Sequence, residues 1–293
     1  MRLLLILLGL TLGFNSQAQS QLDTLIQLRK TDSIEGKVPT YYSPGNKAIA
    51  KDFQKTITEA ITYFEKKYNT LFKVKLAVLD SAQWLTEVVP FGLIFYSDGW
   101  IVLNAGMNYQ KFAQLYGLNT DYANKQLKKE KLTDQAFVAS VFKFYSIHEL
   151  SHYFINELSG AKSPDKWTNE CMPTYIAYDF FSRARKKELL GMEIFSSVTR
   201  DHYSPTYSSI ADFNKKYVAV GIPNYIWYHS NFYFFVKSLY ACKGTHFFSS
   251  FEQTFPKTAN ARQTTEEITR LLDTGCGGLV TGWVKDMAAK AKQ

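Results

Sequence analysis

The chain has five histidines, and two of them stand four residues apart in His148-Glu149-Leu150-Ser151-His152. On a helix, residues four apart lie one above the other, so both imidazoles can reach a single ion. Glu149 is turned about 100° from His148. It would sit beside such an ion, where it can take a proton from a water that the ion activates. The alternative is a polar stripe on a solvent-facing helix. The flanking residues argue against that, because Phe137, Val138, Val141, Phe142 and Tyr145 precede the motif and Tyr153, Phe154 and Leu158 follow it. Two His and a Glu are costly to bury in so apolar a helix without a partner, and a metal supplies one.

A catalytic zinc takes three protein ligands and keeps one position open. The third candidate is Glu170, in Trp167-Thr168-Asn169-Glu170-Cys171-Met172-Pro173-Thr174-Tyr175. The polar stretch Ser159 to Lys166, with Gly160 and Pro164, can turn the chain back and set Glu170 opposite both histidines. Together these two segments, within about 137–181, resemble the gluzincin metallopeptidases, a family that includes thermolysin and the zinc aminopeptidases. The resemblance implies an α+β, zincin-like fold with a metal cleft between an N-terminal lobe and a helical C-terminal lobe. It implies one Zn²⁺ held by His148, His152 and Glu170, with Glu149 as general base.

The same resemblance sets further expectations. Seventeen residues, 153–169, separate His152 from Glu170, one or two fewer than in the better-known branches. Pro173 predicts a kink, or a helix that starts close to Glu170. Thr174 stands where thermolysin-like members have Asp, so a hydrogen-bond acceptor for the ligand histidines is expected from elsewhere. For the oxyanion of peptide hydrolysis, Tyr228 is the first candidate donor and His229 the second. An edge strand that binds an extended substrate by β-augmentation is expected at Trp100–Asn104, with Leu103 and Asn104 in contact. The aminopeptidases' amine-gripping Glu has no counterpart near Gly106-Met107-Asn108, which points to an endopeptidase or another cleavage preference.

The elements that must position these groups follow from periodicity. Phe53, Ile57, Ala60, Ile61 and Phe64 mark an amphipathic helix within Ala48–Tyr68. Val38–Tyr42 and Phe72–Leu79 read as strands, and Phe91–Tyr96 and Trp100–Asn104 as a hairpin around Ser97-Asp98-Gly99. Helices are expected at about 133–158, 169–190, 210–217, 225–241, 247–255 and 265–272. The first 110 residues are thus α+β with a small mixed or antiparallel sheet, and the rest is helical. With the resemblance, residues 19–293 are expected to form one peptidase-like domain, α+β to about 160 and helical from about 161.

The ends and the composition bound the function. Met1-Arg2, the apolar run Leu3 to Phe14 and Ser16-Gln17-Ala18 have the layout of a secretory signal peptide. Export to a periplasmic or extracellular space is expected, with a polar leader over Gln19–Lys37. At about twelve residues the run is too short to span a bilayer. Without Arg2 the charge is +7 from 33 basic and 26 acidic side chains. Lys125, Lys128, Lys129 and Lys131 cluster as a solvated face or loop. No basic–aromatic nucleic-acid motif occurs, and the resemblance implies a peptide or protein substrate as the partner. Of three cysteines, Cys242 and Cys276 are the first pair to expect bonded, with free buried thiols as the alternative. Besides a peptidase, the sequence allows a catalytically silent zinc-stabilised binding module or an amidase acting on an envelope polymer.

Overall fold

The computed structural model describes residues 17–85, 94–160, 165–248 and 264–290. The run Leu3–Phe14, the start of the expected strand at Phe91 and most of the expected helix 247–255 lie outside those residues.

Among the described residues, five short strands form one mixed sheet: β1 (Asp32–Ile34), β2 (Thr40–Tyr42), β3 (Lys75–Leu79), β4 (Ile94–Ser97) and β5 (Trp100–Asn104), in the spatial order β1-β2-β3-β5-β4. The inner strands β2, β3 and β5 run parallel, and the outer β1 and β4 are antiparallel to their neighbours. The β4–β5 turn places Asp98 and Gly99 at φ 49° and 78°, the left-handed pair that a two-residue hairpin requires. This order corrects one expectation. Trp100–Asn104 lies between β3 and β4, so it is not an edge, and among the described residues β4 is. Leu103 pairs with Val78 on one side and Ile94 on the other.

Alternate residues of a strand face opposite sides of a sheet. Leu76, Val78, Ile101 and Leu103 join the main core with Phe53, Ile57, Ile61 and Phe64 of α2 (Lys47–Tyr68). Ala77, Leu79, Trp100 and Val102 meet Leu22 and Ile26 of α1 (Gln17–Leu28) on the other face. The stretch read as a polar leader therefore holds a helix and β1. Leu22, Leu25 and Ile26 recur at helical spacing and cover the sheet.

The helical part is built on α5 (Asp134–Tyr153), which ends in a π-helical turn, Phe154–Leu158. α6 (Lys166–Ala184) returns antiparallel to it, since His148 meets Glu170 while Phe144 meets Phe181. Between β5 and α5 come α3 (Tyr109–Tyr116) and α4 (Thr120–Lys129), which carries Lys125, Lys128 and Lys129. After α6 come α7 (Leu189–His202), α8 (Ile210–Lys216), α9 (Ile222–Lys243), α10 (Thr265–Asp273) and α11 (Leu279–Ala289). Cys242 at the end of α9 is bonded to Cys276 ahead of α11, as expected, and Cys171 is free and buried. No described helix is long and apolar enough to cross a membrane.

Toward the far end of α6, Asp179 is 1% exposed. Tyr63 and Tyr240 each donate a 2.8 Å hydrogen bond to it, and Lys67 pairs with it. A buried carboxylate needs such partners.

Candidate metal centre

Thr133 caps α5 by accepting from the Ala136 N–H. Near the other end of that helix, the Nε2 atoms of His148 and His152 stand 3.1 Å apart. Glu170, one turn into α6, brings its Oε2 to 3.3 Å from His148 Nε2 and 3.5 Å from His152 Nε2. His229 of α9 adds a third imidazole, with Nε2 at 3.6 Å from the same oxygen. Neither ring nitrogen of His229 makes a hydrogen bond among the described residues.

The buried group His148–Glu170–His229 could hold a metal ion, as could the overlapping set His148–Glu149–His152. The spacings fit such an ion. Ligands about 2.0–2.1 Å from a tetrahedral zinc lie about 3.3 Å from one another.

Thr174 fixes the tautomer of His148. Its hydroxyl donates to the Glu170 carbonyl at 2.8 Å, so its oxygen is left to accept from His148 Nδ1–H at 3.0 Å. With the proton on Nδ1, the Nε2 lone pair faces the group. Thr174 thus supplies for His148 the acceptor that was expected from elsewhere. Pro173 does not set the start of α6, which begins four residues before Glu170 and runs through the proline.

Burial dominates the electrostatics. It lowers His148 to about 4 and His229 to about 3, so both rings are neutral at pH 7. Burial would also raise Glu170, but His152 and the hydrogen-bonding imidazoles outweigh it and hold this carboxylate well below its usual range. Burial would lower His152, yet the Glu170 carboxylate raises it overall. Glu149 is raised to about 7, chiefly by burial.

Glu149 faces the sheet edge. Its Oε2 accepts from the Tyr96 backbone N–H of β4 at 3.1 Å. The Tyr96 hydroxyl donates to Glu157 in the π turn at 2.5 Å. One strand residue therefore straps both Glu149 and the end of the motif helix to β4. Because the Tyr96 N–H leaves the β4–β5 ladder, it points out of the sheet.

The other expected residues lie as follows. Tyr228, beside His229 on α9, turns toward α8, where its hydroxyl donates to the Ser209 carbonyl at 2.9 Å and its ring packs on Phe213. It is not gathered with the candidate ligands. Asn104 ends β5, and its Oδ1 accepts from Gly106 N–H. Tyr217, which was not anticipated, donates its hydroxyl to Glu170 Oε1. The ring of Tyr225 lies 4.4 Å from that of His229. Nothing in the local sequence marks Tyr217, because it follows α8, 47 residues from Glu170. Comparison with known protein families, curated proteins and solved structures found no match.

Proposed function

We propose that the protein is an exported zinc metallopeptidase. The observation that carries this reading is the convergence of His148, His152 and Glu170 on one point, with Glu149 beside them and against an edge strand. A zinc ion bound there would polarise a scissile carbonyl and lower the pKa of a water. Glu149, ionised, takes a proton from the attacking water and hands it to the leaving amine. The Tyr96 amide holds that carboxylate on the strand side. His229, whose ring nitrogens make no hydrogen bond among the described residues, is the proposed donor to developing negative charge, in the place first given to Tyr228. An extended peptide adds to an edge strand by main-chain hydrogen bonds, so β4 replaces β5 as the proposed substrate strand. The apolar run Leu3–Phe14 supports export, and the Cys242–Cys276 bond suits an oxidising compartment.

The decisive comparison is Glu149→Gln against the native chain, using unstructured protein as substrate. The variant should bind zinc in equal amount and lose turnover by at least about a thousandfold; full activity in the variant would sink the mechanism. The competing reading is a catalytically silent, zinc-stabilised module, and His229 favours it. If His229 ligates together with the other three groups, a four-coordinate zinc has no open corner. That reading requires the chelated and the metal-loaded native protein to be equally inactive on protein and cell-wall substrates.

A further inference from the structure

A carboxylate can bind a cation through one oxygen or through both, and the choice sets how many positions remain for anything else. In Glu170 the two oxygens have separate tasks. Oε2 faces the imidazoles of His148, His152 and His229 at 3.3–3.6 Å. Oε1 accepts from the Tyr217 hydroxyl.

Tyr217 makes this contact from an unusual backbone. It directly follows α8 with φ 51° and ψ −123°, a left-handed conformation suited to glycine and strained for a residue that carries a side chain. Its ring is nevertheless held firmly. Phe213 and Tyr225 pack on it at 5.6 and 5.7 Å, and the Lys166 ammonium lies 5.1 Å from its centroid. A strained residue so enclosed, with its one polar atom on a candidate ligand, fits a positioning role.

We propose that Tyr217 is a positioning residue that restricts Glu170 to one-oxygen ligation and thereby keeps a coordination position of the metal open. The hydroxyl occupies Oε1, so only Oε2 is offered to the ion. Without it Oε1 swings in, the coordination number rises and the open position is lost. This rests on the metal-site reading above, and the test separates the two.

The test is to load metal-free native protein, Tyr217→Phe and Tyr217→Gly with Co²⁺ and to record visible spectra. Four-coordinate cobalt absorbs several-fold more strongly than five- or six-coordinate cobalt. The native protein should give the intense bands. Both variants should lose most of that intensity and weaken in Zn²⁺ affinity by about tenfold or more. Phe keeps the ring and the strained backbone while Gly removes both, so a loss common to the two belongs to the hydroxyl. Native-like intensity in either folded variant overturns the positioning role while leaving the metal site standing. A native chain that takes up no Co²⁺ overturns both.

Discussion

Thr174 decides what His148 can offer. By giving its own proton to the Glu170 carbonyl, it can only accept from Nδ1–H. Thr174→Val should therefore cost about 10- to 100-fold in zinc affinity by isothermal titration, whereas Thr174→Ser should retain most of it. Glu149 carries the opposite cost. Its pKa is raised from 4.5 to about 7 in the folded chain, so the proton is held more tightly folded than unfolded. The resulting destabilisation is absent below about pH 4.5, grows as pH rises toward 7 and is complete above it. At about 1.36 kcal/mol per unit, it amounts to no more than ~3 kcal/mol. In chelated protein Glu149→Gln should thus raise the melting temperature at about pH 8 and lose that advantage near pH 4. A destabilised variant at the higher pH would contradict the burial argument. At this scale the sequence was most legible where chemistry and spacing coincide, in the His148–His152 pair and Glu170. Tyr217 was not legible, because its role depends on a backbone turn that no neighbouring residue announces.

Elements were readable to the extent that their periodicity was their own. α2 and the β4–β5 hairpin follow directly from helical spacing and from Asp98-Gly99. The edge strand was misassigned because pairing is a property of the sheet. A clue was nonetheless present, since Trp100-Ile101-Val102-Leu103 is apolar on both faces, as an inner strand must be. The helix expected at 169–190 runs past the end of α6 because no Gly or Pro follows Ala184, only the charged turn Lys186–Glu188, and most of α7 was not anticipated. α7 also shows how closely helices approach behind the centre. A Cβ on Gly191 would lie 2.5 Å from Ser140 Cβ of α5 and 3.3 Å from the Phe137 carbonyl. Gly191→Ala must push α7 off the motif helix, at a cost of about 1–3 kcal/mol. Chemical denaturation should show the loss, and unchanged stability would mean that the two helices separate freely.

For the whole molecule, the outline of a small mixed sheet followed by a helical part was foreseeable from composition and order, and so was the Cys242–Cys276 bond. That bond closes a segment with a sequence separation of 34, which loop-closure entropy values at about 3–4 kcal/mol. Reduction, or Cys242→Ser with Cys276→Ser, should lower the unfolding free energy by up to that amount while leaving zinc content unchanged. Loss of zinc on reduction would show that the C-terminal helices hold the centre together.

α6 bears Glu170 near one end and, about 14 Å along the rod, the carboxylate of Asp179, which is anchored by Tyr63, Tyr240 and Lys67. A rod clamped at its far end can neither slide nor roll, so a cation bound beside Glu170 would enter a seat that is already set. Such an ion would be a passenger and not a keystone: stripping it should leave the far-ultraviolet dichroism intact, and re-uptake should proceed at the pace of diffusion and desolvation without waiting for refolding.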